Sequence, residues 1–245
     1  MDMACAAYGI EMSQKEKRKT VKAWRKANSE ITTLWKLLND AAIEAIQNPG
    51  TWVRANDKCR FGVTGALGYR ELVMELPSKR KLHYPHPELK KLYKIRRPKK
   101  KAALAPGTEE DLDDDEMEWV DIPKNQAIDA DGNTYDGVWE TYEITYFGQF
   151  QGSQNWGRVK TFGSKLAENL TQSVAGDFLT LGSLEAERRG YLQILTVHDE
   201  IVTEHHPHLG NSVEDLEAAL CTLPPWAQDF PLAAVGELVD FYTKG

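Results

Sequence analysis

Residues 191–204 read YLQILTVHDEIVTE, and this stretch decides the fold. Tyr191 to Val197 is apolar and β-branched over strand length, His198-Asp199-Glu200 is a tight polar turn, and Ile201 to Glu204 is a returning strand. The pattern predicts a buried strand and a hairpin that lifts a carboxylate to its tip. Immediately upstream, residues 161–189 predict a helix, with Leu166, Leu170, Val174, Phe178, Leu181 and Leu184 on one face and Gly190 as its stop. Downstream come a helix at 211–221, a break at Pro224-Pro225-Trp226, and a short terminal element ending in Val239, Phe241 and Tyr242.

Working outward, VWETYEITYFGQF at 138–150 predicts another strand. Residues 72–76 and 81–84 predict two more, joined at Pro77-Ser78, after a loop punctuated by Gly62, Gly65 and Gly68. Residues 13–47 predict one long amphipathic helix, with Trp24, Ala27, Ile31, Leu34, Trp35, Leu38 and Ala42 at helical spacing and Asn48-Pro49-Gly50 as the stop. Residues 98–133, beginning among prolines and containing an acidic run, predict an exposed, mobile insertion. The chain thus divides into helical residues 1–58, a β-hairpin segment at 59–97, the insertion at 98–133, and a core at 134–245 that carries the HDE hairpin. The fold class is α+β, an antiparallel sheet with that hairpin packed against long helices.

The charge is segregated. Overall the 245 residues carry a net charge of −7, but residues 109–121 hold nine acidic residues and no basic one, and without them the chain is at +2. Residues 79–101 hold eleven Lys/Arg against Glu88 alone, and residues 15–36 hold eight against Glu16 and Glu30. Basic stretches carrying Trp24, Trp35, Tyr84 and Tyr93 suit a phosphate backbone, where charge supplies sequence-independent affinity; solvated faces give the same pattern. The acidic run is also placed to fold back on the basic one and mask it. An apolar content of 41% excludes full disorder. No stretch approaches the ~18 apolar residues of a spanning helix, and Met1-Asp2-Met3 lacks a secretory start, so a cytoplasmic chain with no membrane partner is expected. Cys5, Cys59 and Cys221 read as reduced thiols.

A carboxylate held at a strand end beside a basic cleft is what a divalent-metal phosphoryl-transfer site needs. Mg²⁺ takes one or two carboxylates and completes its octahedron with water and phosphate oxygens. Asp199 is the candidate ligand, Glu200 its helper, and His198 is placed to touch a sugar or phosphate. Ordinary turn chemistry explains the same three residues without any metal. Zinc is disfavoured although His205, His206 and His208 lie close by, because adjacent histidines on a strand point to opposite faces. No Gly-x-Ser-x-Gly elbow supports a serine hydrolase.

The order helix, strand, VHDE, strand resembles the C-terminal palm of family A DNA polymerases, especially the phage-type branch. TFGSKLAENLTQSVAGD at 161–177 resembles their YGGKLxENxxQAxARD helix, and LPSKRKLHYP at 76–85 resembles their LPSGRxLxYP segment. ITYFG at 144–148, AWRKANSEITTLW at 23–35 and PPWAQDFPLAA at 224–234 resemble further segments, so that only about 86–137 lies outside the likeness. The resemblance implies that Asp199 is one of two metal-binding aspartates of nucleotidyl transfer, with His198 and Glu200 beside the primer terminus. It implies that Asn169 and Gln172 face the minor groove, where acceptors vary little between base pairs, and that Lys165 and Arg80 lie near the nucleic-acid backbone. Plain solvent-facing helix positions explain Lys165, Asn169 and Gln172 as well. Ser164, Gly176 and Thr196 depart from the usual Gly, Arg and Gln.

Those enzymes also use a first aspartate in a DYSQIE-like strand and a fingers helix that grips the triphosphate; neither motif is in this sequence. The chain reads as starting just after the fingers helix. One aspartate cannot hold two metals, so the chain alone is expected to be inactive. The expectation is therefore a split DNA polymerase subunit in a bacterial or phage-infected cell. It would work with Mg²⁺, primer-template DNA, dNTPs and an N-terminal polymerase polypeptide. The alternative is a non-catalytic DNA-binding remnant. A palm sheet cut between strands would leave exposed apolar faces.

Overall fold

The computed structural model describes residues 9–66, 68–98, 117–129, 132–204, 208 and 210–242. Helix α1 (Gln14–Ala27) opens on a capping box in which Ser13 Oγ accepts from the Glu16 N–H and the Glu16 carboxylate accepts from the Ser13 N–H. Donation to the Glu16 carboxylate from the Ser13 hydroxyl at 2.7 Å, and then from the Ser13 N–H, holds that carboxyl below its usual range. Helix α2 (Ser29–Gln47) follows after a break. The single helix expected over 13–47 is therefore two, because Asn28 leaves helical geometry (φ −117°, ψ 51°) and turns both its N–H and its side-chain amide onto the Trp24 carbonyl. An asparagine that bonds the local backbone competes with helix continuation. The hydrophobic period runs through the break unchanged, and Trp24 still stacks on Trp35 with ring centroids 5.8 Å apart.

The core lies under α2. Its Leu38, Ala41, Ala42 and Ala45 are buried against a four-stranded antiparallel sheet in the order β1 (Val53–Arg54), β2 (Arg60–Thr64), β3 (Glu71–Glu75), β4 (Lys81–Pro85). Strand β3 is central and buried from Leu72 to Glu75. The Glu75 carboxylate is compensated by Arg60, whose Nε and Nη2 donate at 3.0 and 2.8 Å, and by Lys79 at 3.3 Å. The Arg60 bonds, then Lys79, hold its carboxyl low against the opposing effect of burial. Cys59 is buried beside it, and desolvation with the Glu75 charge pushes the thiol up to about 12.

A second antiparallel sheet has the order β6 (Met117–Ile122), β5 (Glu88–Pro98), β7 (Val138–Gln149), β8 (Trp156–Thr161). The last residues of the acidic run thus form a strand, followed by the short helix α3 (Lys124–Ala127), where the sequence predicts exposed insertion. The reason is cross-strand charge: Lys94 faces Asp121 at 3.7 Å and Arg97 faces Glu118 at 3.5 Å along the β5–β6 ladder. Fold-back of acidic on basic residues is real over this stretch; residues 109–116 lie outside the described residues. Ile144, Tyr146 and Leu89 join this sheet to the core, with Tyr146 edge-on to the buried Tyr84.

Helix α4 (Gly163–Arg188) gives Leu166 and Ala167 to this core at its start and Ala186 to a smaller buried cluster at its far end. At its start a Cβ on Gly163 would overlap the Trp35 carbonyl, so α2 and α4 touch only because this residue is glycine. At its far end Gly182 admits α5 (Val213–Leu220) in the same way, since a Cβ there would lie 2.8 Å from the Leu220 Cα. Phe178 carries the closing segment, with Trp226 stacked on it at 5.3 Å and Phe230 at 4.8 Å.

Candidate functional site

Strands β9 (Leu192–Val197) and β10 (Glu200–Glu204) form a separate two-stranded ribbon. Val197 pairs with Glu200, leaving His198 and Asp199 as a two-residue turn, with His198 at φ 55°. Two-residue hairpins need positive φ at the first central position, and histidine is among the non-glycine residues that tolerate it. The register skips Ile194 between Gln193–Thr203 and Leu195–Val202, a bulge that sharpens the ribbon's twist.

The ribbon is fixed at its base. Gly190 reverses the chain after α4, and Tyr191, buried, donates its hydroxyl to the Ser212 carbonyl at 2.8 Å. Arg189 joins Glu185 at 2.9 Å to Asp215 at 2.8 Å, locking α5 to the end of α4. Bonds from Arg188 and Arg189 hold the Glu185 carboxyl down at about 2. Along the ribbon, the Gln193 amide donates to the Ser183 carbonyl at 2.7 Å, and Ile201 packs against the buried cluster of Ala186, Tyr191 and Ala219, as Leu216 does. This arrangement holds the base while His198, Asp199 and Glu200 stand exposed at the tip.

Burial departs from expectation here. The strand predicted as buried exposes Leu192, Ile194 and Leu195, by 58, 60 and 47%. Two strands alone cannot cover both faces of their own ribbon, and α4 and α5 occupy one side only. The closing segment adds Val235, Leu238 and Phe241, also exposed.

Asp199 and Glu200 offer two adjacent hard-oxygen donors. Among the described residues no group of three or more His, Cys, Asp or Glu converges to hold a metal. That donor set suits Mg²⁺, which needs few protein ligands, and does not suit zinc. Of the downstream histidines, His205 and His206 lie outside the described residues. Glu200 also accepts a hydrogen bond from the Tyr242 hydroxyl at 3.0 Å, which raises the tyrosine pKa.

The remaining candidates gather on α4. Asn169 donates its amide to the Tyr84 hydroxyl at 3.1 Å, tying helix to β4; Gln172, one turn on, is exposed. Lys165 is closed onto Glu168 at 2.9 Å. Arg80 is committed: Nε donates to Asp177 at 2.7 Å and Nη2 to the Ser173 carbonyl at 2.7 Å. Ser78 Oγ donates to the other Asp177 oxygen at 2.6 Å. Asp177 thus clamps the β3–β4 turn to α4, a role the sequence did not assign; its signal was a polar Ser and Arg in one short turn. On the hairpin, Gln193 bonds Ser183 and Glu200 bonds Tyr242.

The aromatic residues of the basic stretches also sort differently from expectation. Tyr84 and Tyr93 are buried and closed to a nucleobase, and burial pushes the Tyr84 hydroxyl up to about 12. Trp24 is exposed on α1, which buries no residue. Most cations of residues 79–97 face carboxylates, as Lys91 does Glu140 at 2.8 Å. Among the described residues no helix is long and apolar enough to cross a membrane.

Over 238 residues the chain is 29% identical to a protein named DNA polymerase from Bacillus phage SP02, an alignment that covers 97% of this chain and 29% of that one. The chain therefore spans less than a third of that relative's length. No protein-family model matches the chain, and no solved structure matches it.

Proposed function

We propose that this chain is the C-terminal, palm-type part of a family A DNA polymerase, bringing one metal-binding aspartate to template-directed nucleotidyl transfer. The observation that carries the reading is the VHDE turn. Its carboxylates are presented at the exposed tip of a rigidly based hairpin, in a chain alignable over 97% of its length with a phage protein named DNA polymerase. Asp199, with Glu200 beside it, would hold Mg²⁺, which when bound supplies charge stabilisation for the transferred phosphoryl group. His198 would contact the primer terminus, and Gln172 with Asn169 the minor groove. Tyr242 would have to yield Glu200 if both carboxylates are to serve a metal.

Primer-template DNA and dNTPs are the substrates of this reading. An N-terminal polymerase polypeptide would supply the first aspartate and the triphosphate grip. Its docking surface would be the apolar ribbon face of Leu192 and Ile194, now exposed. Primer extension with Mg²⁺ and dNTPs, by the chain alone and with that polypeptide, tests the assignment. Incorporation only in the mixture, abolished by Asp199→Ala with DNA binding retained, is expected. Near-normal incorporation by that variant would sink the metal-ligand assignment. DNA binding without incorporation would leave the non-catalytic reading.

A further inference from the structure

We propose that the outward face of the second sheet is a platform for single-stranded nucleic acid, on which bases stack on exposed aromatic rings between lysine and arginine side chains. Strand parity defines the face. Cross-strand partners share a side of a sheet, and residues two apart on one strand do too. In the β5–β6 and β5–β7 registers, Trp119 lies opposite Arg96 and Trp139 opposite Lys94, two residues away on the same strand. Phe147 lies opposite Arg158 and Trp156 opposite Gln149. All four rings therefore stand on one side, away from the side on which Leu89, Ile144 and Tyr146 enter the core.

Each of the four is exposed, the three indoles by 52, 64 and 60% for Trp119, Trp139 and Trp156. They form two pairs: Trp119 and Trp139 edge to face at 5.7 Å, Phe147 and Trp156 tilted at 6.1 Å. From Trp139 to Phe147, β7 covers about 27 Å of strand, room for several nucleotides and in keeping with platforms of ~4–16. Between and beside the pairs lie Lys90, Lys94, Arg96, Arg158 and Lys160. Among the described residues three carboxylates share the face, Asp121, Glu143 and Glu88, each paired with a cation, Lys94, Lys160 and Arg158 respectively. Among the described residues of this face, cations outnumber carboxylates.

The occupant follows from this chemistry. A dry protein interface gathers apolar groups and excludes charge from its centre, whereas here aromatic and charged positions alternate and Leu92 is the aliphatic residue between them. Duplex DNA hides the base faces that indoles would stack on; a single strand offers them. The platform uses neither Asp199 nor any residue of the hairpin, so it stands apart from the catalytic reading.

Tryptophan fluorescence of the whole chain, titrated with a 20-mer of dT at low salt without metal, dNTP or partner, tests it. Quenching that saturates, and affinity that falls as salt rises, are expected. Trp139→Ala and Trp156→Ala should each weaken binding about 5- to 150-fold, the range of one base–aromatic stack, while Trp139→Phe should recover most of the loss. A matched duplex should bind without sensitivity to either substitution. The proposal is overturned if dT binds folded alanine variants as it binds the parent. It is equally overturned if the chain ignores dT; loss of assembly with the N-terminal polymerase polypeptide on Trp139→Ala would then make the face a protein contact. Incorporation can succeed or fail independently of either result.

Discussion

Replacing Asp177 by alanine tests whether Arg80 serves the fold or the nucleic acid. The substitution removes two hydrogen bonds to an ionised carboxylate, from Arg80 Nε at 2.7 Å and Ser78 Oγ at 2.6 Å. Bonds to charged groups contribute about 1.5–3 kcal/mol each. The Arg80 side chain is half exposed while that of Asp177 is largely covered, so solvent screening brings the arginine's share toward the ~1 kcal/mol of a surface pair. The expected cost is about 2–3 kcal/mol, a drop in Tm of roughly 5–10 °C for a chain of this size. Arg80→Ala should cost about 1 kcal/mol, and the double variant little more than Asp177→Ala alone, giving a coupling near 1 kcal/mol. Denaturant unfolding followed by circular dichroism measures all three. A coupling below about 0.3 kcal/mol, with Arg80→Ala losing DNA affinity and no stability, would refute the clamp and return Arg80 to the phosphate backbone.

Three further outcomes follow from the packing and the ionisation states. Gly163→Ala should force α2 and α4 apart at Trp35 and cost at least about 1–3 kcal/mol, the range of overpacking, read as a fall in the denaturation midpoint; an unchanged midpoint would contradict the close approach of the two helices. Glu75 and Glu185 have depressed folded pKa values, Glu185 at about 2, so their contribution is present above the ordinary carboxyl pKa and lost as pH falls through the folded values. Stability measured from about pH 6 down to about pH 2 should decline, and Glu75→Gln should flatten part of that decline. Cys59, buried with its thiol pushed up to about 12, should resist iodoacetamide in the folded chain and react only on unfolding, as peptide mass analysis would show.

The hairpin, α4 and the β3–β4 pair were legible because each carries its own punctuation: Gly190 ends the helix, a polar triplet turns the chain, Pro77-Ser78 marks the other turn. What escaped were features set by partners distant in sequence. Composition makes Met117–Ile122 look like solvated acidic chain, yet its carboxylates meet cations on β5 in a fixed register. Tyr84 and Tyr93 look available among lysines, but strand parity places Tyr93 with Leu89 and away from Lys90 and Lys94. Asn28 interrupts no hydrophobic period and still breaks the helix, because its side chain bonds a local carbonyl.

The same logic separates two kinds of exposed apolar surface. On β9, Leu192 and Ile194 are aliphatic, belong to a ribbon with only one covered side, and carry no neighbouring cations on their own strand. Aliphatic groups have no use for a nucleobase face; they are stabilised by exclusion from water against other apolar groups. On the second sheet the exposed rings are aromatic and flanked by lysine and arginine, which remain solvated and favour a polyanion. A protein partner for the first surface and a single strand for the second are therefore different requirements. If one polypeptide covered both, the sheet would have to desolvate its cations and their carboxylates, at a cost that aromatic burial alone does not offset.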